Sequence, residues 1–197
     1  MTSRRDFLHV VALAGLPALA STAGFIAAGK RIPLDLAMVL VDGRHPEACA
    51  LGACLTRSAV AVRTLADGDI TQIWLREIGP AWRARPLAVA GLTARPALFC
   101  LEQLAFGHGL RVVLHGEHVI DAGGQVQHSL LRGARESHLS VRELVHAGPL
   151  WPERIAAAIA VHRQQAPACR VGPSEAALEP TVPAGARLLT SWIIAPV

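Results

Sequence analysis

Residues 86–118, PLAVAGLTARPALFCLEQLAFGHGLRVVLHGEH, constrain the fold of this chain more than any other stretch. An apolar run at 88–90 is followed by a corner at Gly91-Leu92-Thr93 and a helical segment from Pro96 to about Ala105. Gly107 and Gly109 stop the helix, and a second apolar run begins at 111–114. These signals describe a strand, a helix and a second strand. A helical connection of that length joins parallel strands. The unit ends in a polar cluster of His115, Glu117 and His118.

The rest of the chain extends this pattern. Residues 36–41 (LAMVLV) form a continuous apolar run, as expected of a strand buried on both faces. Pro46 opens a helix to about Leu55, and residues 59–62 form a second strand. Asp67-Gly68-Asp69 is a turn. Asp69 with Gln72 fits a capping box that starts a helix over 70–78, which Gly79-Pro80 breaks. Beyond His118, residues 119–121 and 126–131 flank Gly123-Gly124 as a β-hairpin. Ser140 and Glu143 form a second capping box, and Pro152 begins a helix to about Arg163. Residues 166–186 read as an extended Pro-, Ala- and Gly-rich loop, and 188–194 (LLTSWII) as a last strand. The expected fold is α/β: three layers around a mainly parallel sheet, with a β-hairpin and a C-terminal edge strand. A flavodoxin-like strand order is the default. Residues 34–197 form a single domain, with no internal repeat.

Charge excludes one class of function. The formal net charge is +4, with a single lysine, Lys30. The arginines stand singly or in pairs among acids, with no basic stripe and no interleaved aromatics. A nucleic-acid surface requires such a stripe, so no nucleic-acid partner is expected.

The first residues, MTSRRDFLHVVALAGLPALASTAG, carry a second constraint. Ser3-Arg4-Arg5-Asp6-Phe7-Leu8 resembles the core of a twin-arginine translocation signal. Residues 7–16 supply a mild apolar region, and Ala18-Leu19-Ala20 a small-x-small cleavage site. The apolar stretch is short and is broken by Gly15 and Pro17, which argues against a membrane span; an uncleaved anchor that adds the apolar residues 25–28 is the alternative. The resemblance implies a signal peptide over 1–20, a tether over 21–33, the twin-arginine translocase as a transient partner and a periplasmic location. It also implies a passenger folded before export, either around a cofactor or beside a partner.

Candidate chemistry follows from the rule that α/β sheets bind ligands beyond the carboxyl ends of their strands. That rule selects Asp42 and Arg44 after the first strand and Asp67 and Asp69 after the second. It adds Gly91 and Thr93 after the third, then His115, Glu117 and His118 at the fourth. Gly91-Leu92-Thr93 opens a helix and could bind an anion; the structural alternative is a tight turn with Thr93 as an N-cap. His115, Glu117, His118 and His128 are the candidate metal ligands. A hairpin loop at 122–124 sets His118 opposite His128, whereas a two-residue loop pairs His118 with Ser129. Residues 115 and 117 share one face of a strand and 118 the other, so convergence of all four needs a bulge. No G-x-S-x-G elbow supports a serine hydrolase.

Cys49 and Cys54, about 140° apart around one helix, should not bridge each other. Cys49 and Cys100 are expected as buried thiols, and Cys169 lies in the long loop. Trp74 and Trp82 flank the broken helix and could form a docking surface.

Two functional readings result. One is a small accessory or escort subunit of a periplasmic oxidoreductase. The other is a periplasmic protein that binds a small molecule, anion or metal at the carboxyl edge of the sheet, with hydrolysis as a further option. If the leader works as its motif implies, amino-terminal sequencing of the exported protein should read from about Ser21. Replacing Arg4 and Arg5 by lysine should leave the protein uncleaved in the cytoplasm.

Overall fold

The computed structural model describes residues 35–133, 138–164 and 182–197. The leader, the tether and most of the expected 166–186 loop, including Cys169, lie outside the described residues. The elements are β1 (Leu36–Asp42), α1 (Pro46–Thr56), β2 (Val62–Leu65), α2 (Thr71–Ile73), a π-helical turn (Trp74–Ile78), α3 (Gly79–Ala84), β3 (Ala88–Ala94), α4 (Arg95–Phe106), β4 (Leu110–Ile120), β5 (Val126–Arg132), α5 (Val141–Ala147), a short 3-10 turn (Gly148–Leu150), α6 (Trp151–Gln164) and β6 (Arg187–Pro196).

The six strands form one mixed sheet in the order β2-β1-β3-β6-β4-β5. β1 pairs in parallel with β2 and β3. The other pairings, β3 with β6, β6 with β4 and β4 with β5, are antiparallel. The expectation of a mainly parallel, flavodoxin-like sheet is therefore corrected. Only β2-β1-β3 keeps that arrangement, because β6 enters between β3 and β4. For the same reason β6 is a central strand and not an edge. Leu189 and Ile193 enter the core on one face, Trp192 and Ile194 the core on the other, and all are buried. Such burial suits a strand flanked on both sides.

Helices cover both faces. α1, α5 and α6 pack Leu51, Leu144, Ile155 and Ile159 against Val39, Ala90 and Ile193. α3 and α4 pack Trp82, Leu98 and Leu101 against Leu40, Val89 and Trp192. The second expected strand lies later than 59–62. Gly79-Pro80 does not end its helix either: the π turn places Pro80 in the first turn of α3, where its missing N–H costs nothing. Asp69 accepts hydrogen bonds from the Thr71 amide and hydroxyl (2.8 and 2.6 Å). The Ser140–Glu143 capping box forms in full and starts α5.

Gly91-Leu92-Thr93 is not a corner. It lies inside β3, and the cap of α4 is Ala94. Gly91 is needed for a different reason. A Cβ there would stand 2.5 Å from Cζ2 of Trp192 and 2.7 Å from the Leu40 carbonyl oxygen, so only glycine lets the indole lie across the strand. Cys49 and Cys100 are exposed rather than buried, because both fall on the solvent sides of their helices.

Gly91→Ala should destabilise the fold by about 1–3 kcal/mol through overpacking. Gly107→Ala, whose Cβ would meet only the Leu104 carbonyl at 3.9 Å, should be close to neutral. Denaturant unfolding of the two variants checks the contrast.

Candidate functional site

The pleat of β4 sorts the expected site residues. His118 points toward α1, α5 and α6, while His115 and Glu117 point toward α4. The β4–β5 hairpin closes with the Asp121 amide bonded to the Gln125 carbonyl, and the register sets His118 opposite His128. The three-residue loop is therefore the one formed, with Gly124 at φ +82°. The four candidate metal ligands are divided between the two faces of the sheet and do not converge. Among the described residues, no group of three His, Cys, Asp or Glu side chains is placed to hold a metal ion.

What forms instead is a hydrogen-bonded row. His118 Nε2 lies 2.9 Å from Ser191 Oγ, and His118 Nδ1 lies 2.8 Å from His128 Nδ1. The Trp151 indole, at the first residue of α6, stacks over His118 with ring centroids 4.4 Å apart and meets His128 at 5.2 Å. His118, Ser191 and Trp151 are buried. Gly116 makes room for the row: a Cβ there would stand 2.7 Å from Ser191 Oγ and 3.5 Å from His118 Cε1.

Burial, followed by repulsion from His128 and His115, holds the His118 pKa well below the ordinary imidazole value. Burial alone pushes His128 down to about 4. Both rings are neutral at pH 7, so one proton lies between the two Nδ1 atoms. If His118 donates it, His128 carries Nε2–H; if His128 donates it, His128 Nε2 is a bare lone pair.

His128 and Trp151 also help line a cleft of about 480 Å³ between the start of α1, the hairpin and the α5–α6 junction. Its walls are largely apolar (Pro46, Val126, Leu144 and Pro152), with Glu47 and Gln125 adding polar groups. The cleft lies at the carboxyl end of the parallel strands, where the sheet rule expects a ligand.

Glu47 continues into a polar crest. Arg187 donates to its two carboxylate oxygens at 3.1 and 3.3 Å and to His45 Nδ1 at 3.3 Å. His45 Nε2 lies 3.9 Å from Asp42. Asp42 is buried and gripped by Arg44 through Nε and Nη2 at 2.9 and 2.7 Å. Burial raises the Asp42 pKa, but the Arg44 hydrogen bonds outweigh it, and the net shift is downward. Arg44 is thus committed to Asp42. Asp67 and Asp69 lie in the loop beyond β2 and do not line the cleft.

On the opposite face, the Thr93 hydroxyl accepts from Trp192 Nε1–H at 3.1 Å and donates to the Ala94 carbonyl at 3.2 Å. Thr190 donates to the Thr93 carbonyl at 3.0 Å. With its hydroxyl engaged and its side chain buried, Thr93 forms no anion-binding helix start, and Gly91 is occupied by Trp192. Glu117 is buried, with His115 Nε2 3.9 Å from it. Burial, then the charges of Arg132 and Arg95, push the His115 pKa down to about 4.

Sequence reasoning missed Ser191, Trp151, Glu47, His45 and Arg187. The one available signal was the Thr190-Ser191 pair inside an apolar strand, since buried hydroxyls require partners. Comparison with protein-family models, with curated proteins and with solved structures finds no significant match.

The lowered histidines make stability depend on pH with a defined sign. A histidine whose folded pKa lies below its unfolded value of about 6.5 favours the unfolded state as acid is added. Stability should be full above about pH 6.5 and fall toward pH 4, where His115 and His128 titrate. Each such ring contributes a slope approaching 1.4 kcal/mol per pH unit. Urea unfolding at pH 7.5 and 4.5 measures the loss, and His115→Asn with His128→Asn should flatten it.

Proposed function

We propose that the chain is an exported periplasmic protein that binds a small, neutral, mainly apolar molecule in the cleft between α1, the β4–β5 hairpin and α6. The observation that carries this reading is the cleft itself. It has the volume of a small-molecule site, apolar walls and a few polar groups, and it stands where α/β sheets take ligands. Arg187 neutralises Glu47 at its rim, and the His128 imidazole in its wall and the His118 imidazole behind it are uncharged at neutral pH. The site thus presents hydrogen-bonding groups without net charge, which favours a neutral ligand over an anion or a metal ion. Export by the twin-arginine route rests on the leader motif alone.

A second reading, an escort or accessory subunit of a periplasmic oxidoreductase, has one observation in its favour. Phe99 and Phe106, seven residues apart on α4, are 61% and 69% exposed. Aromatic side chains of that exposure on one helix suit a protein partner.

The full chain, isolated gently from its native host, should show a native mass above that of the polypeptide by one small molecule. Ala50→Trp fills the cleft from the exposed side of α1 and should abolish that added mass while leaving the protein folded. A bare polypeptide mass would count against the cleft. A co-purifying polypeptide released by Phe99→Ser with Phe106→Ser would establish the escort reading instead.

A further inference from the structure

The row Ser191, His118 and His128 runs from inside the sheet to the cleft. His118 is held at both ring nitrogens, by Ser191 Oγ at 2.9 Å and by His128 Nδ1 at 2.8 Å, and Trp151 packs against its ring at an interplanar angle of 36°. Among the described residues, His128 is held at Nδ1 only. Among the described residues, the one side-chain polar atom both sealed from solvent and unpartnered is His115 Nε2. The Nε2 of His128 has no hydrogen-bond partner among those residues, and His128 lines the cleft.

This is the arrangement of a base with an orienting partner. In nucleophilic triads one imidazole acts at Nε2 while a third group accepts its Nδ1–H and holds its tautomer. Here a second, neutral imidazole occupies the orienting position. Ser191 is completely buried, so it touches no ligand; it bonds His118 Nε2 and holds that ring in place.

We propose that the cleft is a proton-abstraction site in which His128 Nε2 is the general base and His118 and Ser191 are positioning residues. The inference rests on the cleft being a ligand site. Its substrate class is a small neutral molecule with a weakly acidic hydrogen. Ser191 accepts Nε2–H from His118, His118 Nδ1 accepts Nδ1–H from His128, and the bare Nε2 of His128 takes the substrate's proton. The charge formed on His128 is delocalised over its ring and stabilised by the His118 lone pair. Return of the proton to another substrate atom regenerates the base and completes an isomerisation.

The probe is 5-nitrobenzisoxazole, a flat neutral molecule. A base removes its ring C–H proton, the bonding pair forms the nitrile, the N–O bond breaks, and its pair leaves on the phenolate oxygen. The full chain at pH 7.5 should accelerate this reaction with saturation. His128→Ala should remove the acceleration. His118→Phe should lower kcat at least tenfold at unchanged KM, and His118→Gln, whose amide can accept from His128, should restore part of it.

Diethyl pyrocarbonate, which acylates unprotonated imidazole nitrogen, is applied in parallel with peptide mapping. Labelling of His128 but not His118 is expected, continuing to pH 5, where N-acetylhistidine has slowed. If His128 is labelled and the rates of the wild type and His128→Ala are equal, the base assignment is overturned and the cleft stands. If His128 resists labelling, its Nε2 does not open to the cleft and the base assignment is overturned, while the ligand site still stands or falls by the added native mass.

Discussion

The structure depends on the insertion of β6 between β3 and β4. Without it, the parallel half of the sheet and the β4–β5 hairpin would share no hydrogen-bond ladder. Three consecutive residues of β6 join the layers. Thr190 bonds the β3 backbone and Trp192 crosses Gly91 toward Thr93, both on the α4 face. Between them Ser191 points the other way, to His118. Strand alternation thus makes one segment the anchor of two separate polar networks.

Those networks differ in openness. On the α4 face the hydroxyls of Thr93 and Thr190 are spent on the backbone and on Trp192, in a layer closed by α4. They satisfy buried groups that would each cost about 1–3 kcal/mol if left alone. On the other face the row from Ser191 ends at His128, whose Nε2 has no hydrogen-bond partner among the described residues, beside a cleft. The same low-dielectric surroundings that keep both imidazoles neutral strengthen the hydrogen bond between them.

The carboxyl edge of the sheet organises the polar groups around the cleft. β1 ends at Asp42, whose carboxylate is consumed by Arg44. The next turn brings His45 and Glu47 to Arg187, at the start of β6. The β1–α1 connection and the first residue of the last strand therefore meet at the cleft rim, although they are far apart in sequence. The ion pairs leave the rim nearly neutral, which suits an uncharged ligand.

Local sequence determined the elements whose cause is local. The β1 run, the Pro46 and Pro152 helix starts, the Ser140–Glu143 capping box and the existence of the hairpin all rest on neighbouring residues, and they appear where propensity and capping place them; the choice of the three-residue loop over the two-residue one came from the structure. The alternation of β4 likewise separates His115 and Glu117 from His118 in any sheet. Tertiary structure decided the rest. Gly91-Leu92-Thr93 reads as a turn until Trp192, distant in sequence, is found lying against Gly91. The segment LLTSWII reads as an edge strand because nothing within it says which strands will flank it. That placement sets Ser191 under His118 and Arg187 beside Glu47, so the candidate site follows from long-range pairing. Residues so far apart carry no local periodicity that could announce their contact; only the packing of a strand buried on both faces brings them together.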